Sequence, residues 1–120
     1  MSATKDDVQS FLKRLRAKAK IYQIIYEDDR PKNVQTLATL ELKPHERDEY
    51  VTNLTVDDYS EGPKPENFFG GSSEMYVFGK AVKNQEVYIK VTLGQPNNSV
   101  ICISFHIAEF PIVYPFKQGQ

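Results

Sequence analysis

MYVFGKAVKNQEVYIKVTLGQPNNSVICISFHI, residues 75–107, decides the fold. β-Branched and aromatic residues dominate it. Two polar stretches interrupt them, Lys83-Asn84-Gln85 and Gly94-Gln95-Pro96-Asn97-Asn98. Strand formers bounded by turn formers predict three antiparallel strands, at 75–82, 86–93 and 99–107. Alternation then sorts the side chains between two faces. Val77, Gly79 and Ala81 fall with Val87, Ile89, Val91 and Leu93, and with Ile101, Ile103, Phe105 and Ile107. These make an apolar wall for helices to cover. The opposite face collects Tyr76, Phe78 and Lys80, then Tyr88 and Lys90, then Cys102, Ser104 and His106. A slip of one residue would exchange the faces, and the apolar wall is expected to forbid it. In this register Lys80 faces Tyr88 and Tyr88 faces Ser104, all within roughly 10 Å, with His106 two residues beyond.

Upstream of the strands the pattern is helical. Thr4 and Asp7 suit a capping box, and Val8, Phe11, Leu12, Leu15 and Ala19 recur at helical spacing, so residues 4–19 are an amphipathic helix. Its outer face carries Lys13, Arg14, Arg16 and Lys18, followed by Lys20: a solvated face or a docking surface for RNA. Residues 20–27 read as a strand. Pro31 opens a second helix over 31–40, with Val34, Leu37, Ala38 and Leu40 inward. Pro44 opens a third to about Leu54, with Tyr50, Val51 and Leu54 inward. Its face of Glu46, Asp48 and Glu49 reads as solvated, and His45 as an exposed residue without a chemical role. Thr55–Tyr59 suits a short strand, and residues 61–73 a loop bearing Phe68 and Phe69. The expected architecture is one α+β domain over residues 1–120, with N-terminal helices packed on a C-terminal antiparallel sheet.

Composition narrows the function classes. Apolar residues make up 40% of 120, a globular balance rather than a disordered one. No apolar run is long enough for a bilayer helix, and the N-terminus lacks a signal-peptide pattern, so a cytoplasmic protein with no membrane partner is expected. The single cysteine, Cys102, lies in an apolar run and reads as buried and inert. Two histidines and one cysteine far apart offer no zinc spacing, so no metal or cofactor is expected. Net charge is −1, but acid is concentrated at 41–66, and the segment from Tyr76 onward has four lysines against two glutamates. The sheet can therefore accept an anionic ligand.

Two lysines, a tyrosine and a histidine on one face are groups that can cleave RNA without a metal. The histidine moves a proton, from the 2′-hydroxyl or to the leaving 5′-oxygen. Lysines stabilise charge developing on the phosphate, and the tyrosine donates a hydrogen bond or stacks on a base. Phe68 and Phe69, with Gly70 and Gly71 beside them, can swing onto unpaired bases or plug the core beneath the loop. Solvent-facing strands ordinarily carry such polar residues too, and the pattern alone does not separate the two readings.

The segments LTVDDYSEGP (54–63), MYVFGKAV (75–82), EVYIKVTLG (86–94) and SVICISFH (99–106) resemble, in this order, the MqsR family. These are toxins of bacterial type II toxin–antitoxin pairs, also called motility quorum-sensing regulators. The resemblance runs in element order from about Val8 to His106. It implies a RelE-like fold and a metal-independent messenger-RNA endoribonuclease that inhibits translation. The implied partners are single-stranded mRNA and an antitoxin with zinc and a helix-turn-helix domain. The family tyrosine in the VYIK strand falls on Tyr88, and the lysine ending the last strand falls on His106. The lysine after the family's paired aromatics falls near Glu61, with Lys64 or Lys80 as replacements. The family glutamine finds no equivalent near Met75 and Tyr76. The expected catalytic set is Lys80, Tyr88 and His106, with RNA held by Lys64, Phe68, Phe69, Lys90 and Ser104. A non-catalytic RNA- or antitoxin-binding module derived from the family is the alternative. Residues 107–120 extend past the family's usual end, and their apolar side chains are expected to cover a sheet edge or core seam.

Overall fold

Thr4 starts the first helix as the capping box requires. Its hydroxyl accepts the Asp7 N–H at 3.1 Å, and the Asp7 carboxylate accepts the Thr4 N–H at 3.0 Å. Helix α1, Lys5–Ile21, buries Val8, Phe11, Leu12 and Leu15. The structure is a computed structural model and describes residues 2–65 and 74–117. After α1 come β1 (Ile25–Tyr26), α2 (Pro31–Leu40), and a 3-10 turn (Pro44–Glu46) leading into α3 (Arg47–Thr52). A second 3-10 turn (Val56–Asp58) leads to β2 (Tyr59–Pro65), and β3 (Glu74–Val82), β4 (Gln85–Thr92) and β5 (Ile101–Ile107) complete the α+β fold. Sheet order is β1-β5-β4-β3-β2, with β1 parallel to β5 and the other pairs antiparallel. Strand β2 occupies the first part of the expected loop, so pairing with β3 extends further than its Gly and Pro content suggested.

The helices cover one face of the sheet. Val87, Ile89 and Val91 of β4 point into that core, as the alternation predicts. Strand β3 is inverted. Its core residues are Tyr76, Phe78 and Val82, with Phe11 stacked on Tyr76 at 4.1 Å between ring centres. The hairpin closes on two residues, Lys83 and Asn84, both at positive φ (49° and 69°). Val82 therefore pairs with Gln85, Phe78 with Ile89 and Gly79 with Tyr88. A three-residue loop would have given the expected register, and the difference of one residue exchanges the two faces. Strand β5 departs from regularity as well. Lys90 pairs with Ser104 but Val91 with Cys102, so Ile103 is an extra residue in a bulge. The bulge turns Cys102 into the core beside Val91, where burial pushes its thiol pKa up. Ile101 and Ile103 join Met75 in a second, smaller cluster.

The outer edge of β5 is satisfied in an unusual way. Strand β1 pairs only with Ile101 and Cys102. Beyond it α2 takes over with side chains: Asn33 donates from Nδ2 to the Ile103 carbonyl at 3.1 Å and accepts the Phe105 N–H at 3.0 Å. Thr36 Oγ1 accepts the Ile107 N–H at 3.0 Å. Asn33, Thr36 and Leu40 are therefore the buried side of α2, while Val34 and Ala38, expected inward, are exposed. Backbone polar groups at a sheet edge need partners, and that need outweighs the apolar count of a short helix. Asn33→Ala should cost about 1–3 kcal/mol in urea unfolding, because it leaves the buried Phe105 N–H without its acceptor. Unchanged stability would mean that this edge has another partner.

From Ala108 the chain turns back across the outer face of the sheet. Glu86 holds it: its carboxylate accepts the Ile112 N–H at 3.2 Å and the Tyr114 hydroxyl at 2.7 Å. The segment passes close over Gly79, where a Cβ would lie 2.8 Å from Ile112 Cδ1. Phe116 ends the crossing, stacked on Tyr59 at 5.1 Å at the rim of the core. The tail thus covers a sheet face as well as a core seam.

Candidate functional site

The uncovered part of that outer face carries the polar residues of β4 and β5. Tyr88 lies directly opposite His106 and Lys90 opposite Ser104. The Tyr88 and His106 rings stack, 5.2 Å between centres and 18° from parallel. Around them is a groove of about 810 Å³. Its floor is Tyr88, Lys90, Ser104 and His106. Residues 30–33 at the start of α2, Ser60 and Glu61 of β2, and residues 109–113 of the tail complete its lining.

His106 Nδ1 is 3.0 Å from the Ile107 carbonyl. A carbonyl only accepts, so Nδ1 carries the hydrogen of this bond and Nε2 is left as the nitrogen for a ligand. Burial first, and then the Glu61 carboxylate, raise the pKa of Tyr88, so its phenol stays a hydrogen-bond donor. Lys90 is shifted the other way: burial lowers its pKa, and the charges of Arg30 and Lys64 add to the effect. Among the described residues no carboxylate forms an ion pair with Lys90. Lys32 and Glu109 pair at 2.6 Å and tie α2 to the tail at the groove's rim.

Four of the expected residues, Tyr88, Lys90, Ser104 and His106, thus come together. Lys80 does not join them. It shares the side of β3 that holds Tyr76 and Phe78, opposite Val87, and forms an ion pair with Asp58 at 3.2 Å. The two-residue turn is the physical reason. Lys64 is on β2, paired with Glu61, and reaches the groove through its field rather than as a lining residue. Phe68 and Phe69 lie outside the described residues. Sequence reasoning missed Arg30 and residues 109–113. The turn DDRP could have suggested the first, since a helix begins at Pro31, but nothing local places the tail.

Among the described residues, no group of three or more His, Cys, Asp or Glu side chains is placed to hold a metal ion, and no helix is long and apolar enough to cross a membrane. The chain is a small α+β domain with a groove on the outer face of its sheet, polar on its floor and largely apolar along the wall formed by the tail. No protein-family model, curated protein or solved structure matches it.

Proposed function

We propose that the protein is an RNA-cleaving toxin of the MqsR type, acting on single-stranded mRNA in the cytoplasm and neutralised by a zinc-containing helix-turn-helix antitoxin. The observation that carries the reading is the Tyr88–His106 stack beside Lys90 in an open groove. His106 Nε2 takes the proton of the 2′-hydroxyl. The oxygen attacks phosphorus, the P–O5′ bond breaks to leave a 2′,3′-cyclic phosphate, and the 5′-oxygen takes a proton from solvent. Tyr88 donates a hydrogen bond to the phosphate, and Lys90 meets the charge that grows on it. The expected catalytic group is therefore Tyr88, His106 and Lys90, without Lys80.

Lys80 turned away, and Glu61 bound to Lys64 at the family lysine position, favour a second reading. In it the groove binds RNA or an antitoxin and does not cleave. Purified protein, incubated with single-stranded RNA in EDTA with ribosomes supplied, decides between them. Cleavage is expected; intact RNA would leave the binding module. Lys90→Ala should weaken binding to single strands at every sequence and reduce the slope of log affinity against log salt by about 0.7. An unchanged slope in a salt titration would place the phosphate away from Lys90.

A further inference from the structure

Phe110 is a large aromatic ring left 80% exposed on the wall of the groove that holds Tyr88, Lys90 and His106. Apolar surface left in water forgoes the gain of burial, and Phe116 of the same segment is packed away against Tyr59. The backbone around Phe110 is tied on both sides. The Ala108 N–H donates to the Glu86 carbonyl at 2.8 Å on one side, and on the other the Glu86 carboxylate accepts the Ile112 N–H at 3.2 Å. A ring presented by an anchored backbone loses little freedom when a flat ligand settles on it.

Charge chooses the ligand. Lys90 and Arg30 line the same groove, and burial first, then repulsion from Arg30 and Lys64 against an opposing pull from Glu61, lower the pKa of Lys90. An anion placed there relieves that repulsion. A flat ring joined to an anion is what a nucleotide unit offers.

We propose that Phe110 is a base-stacking residue, taking one unpaired nucleobase of a single strand whose phosphate sits at Lys90. The inference rests on the RNA reading above and adds to it a contact from outside the sheet. The chain has no tryptophan, so Phe110→Trp introduces a single fluorescent reporter at the site. Titrated with a short 2′-O-methyl oligonucleotide, which cannot be cleaved through a 2′-oxyanion, the variant's fluorescence should be quenched. Phe110→Ala should bind the same oligonucleotide roughly 5- to 150-fold more weakly, with an unchanged melting curve because the ring is exposed. Against oligonucleotides with abasic positions the gap between wild type and Phe110→Ala should close. Equal affinities of wild type and Phe110→Ala, or Phe110→Trp fluorescence that does not change on binding, overturn the stacking contact and leave the RNA reading standing. A wild-type protein that binds no oligonucleotide overturns both. Unaltered oligonucleotide binding by Phe110→Ala, with loss of a protein complex, assigns the ring to a protein partner and overturns the proposal.

Discussion

His106→Ala should slow RNA cleavage about 10²- to 10⁴-fold, the usual share of a positioned general acid or base. The imidazole is half-buried, and among the described residues it stacks on the Tyr88 ring and bonds the Ile107 carbonyl. Truncation loses the stacking contribution, about 0.5–1.5 kcal/mol, and leaves no buried charge or orphaned donor behind. The fold should therefore survive, and circular dichroism of the variant verifies it. Tyr88→Phe is the companion variant, since it retains the stack and removes only the hydroxyl. If the tyrosine donates to the phosphate, its variant lowers cleavage while RNA affinity changes little. Cleavage by His106→Ala at the wild-type rate would remove the histidine from the mechanism. A large loss in His106→Ala with no loss in Tyr88→Phe would reduce the tyrosine to a platform for the imidazole.

The site was legible where one strand had a single possible phase. In β4, Val87, Ile89 and Val91 alternate with Tyr88 and Lys90, and only one side can meet the helices. Strand β3 offers apolar side chains on both sides, Tyr76, Phe78 and Val82 against Val77, Gly79 and Ala81. Its phase is then set by the turn, and Lys83-Asn84 lacks the glycine that usually announces a two-residue hairpin. That single uncertainty moved Lys80 from one face to the other. The bulge at Ile103 is hidden for a similar reason: Ile101, Cys102 and Ile103 are all apolar, so a shift among them leaves no trace in the pattern. The buried roles of Asn33 and Thr36 leave no mark in the apolar pattern of α2, because their partners are backbone groups of a strand about 70 residues away. The tail's path depends on Glu86 and Gly79, which its own sequence does not reveal.

Arg47 was hidden most completely, since a basic residue among Glu46, Asp48 and Glu49 reads as part of a solvated face, yet it is only 1% exposed. Its guanidinium binds both oxygens of Asp28, at 2.7 and 2.9 Å, and Nε donates to the Pro44 carbonyl at 2.9 Å. The plane lies over the Tyr26 ring, 3.8 Å from its centre, and Tyr26 in turn donates to Asp48 at 2.6 Å. This group fastens β1 and the following turn to the start of α3. Arg47→Ala should cost about 2–5 kcal/mol, as truncation of a large buried side chain does. Arg47→Met, which keeps most of the volume and buries no charge, should cost less than about 1.5 kcal/mol. Asp28→Ala leaves the guanidinium buried without its carboxylate. The full cost of such a break is about 3–5 kcal/mol, but the Asp28 side chain is 44% exposed, and water reduces it to about 2–3 kcal/mol. The pair also sets a dependence on pH. Hydrogen bonds from Arg47 hold the Asp28 carboxyl below its ordinary value, despite an opposing contribution from burial. Its stabilisation is therefore complete above the unfolded aspartate pKa of about 3.9 and is lost as pH falls through the folded value. Urea midpoints between about pH 3 and pH 7 should fall more steeply for wild type than for Asp28→Asn. Parallel curves would show that Asp28 has the same pKa in the folded and unfolded chain, and an Arg47→Met as damaging as Arg47→Ala would show that the charge itself, not the packing, holds the three elements together.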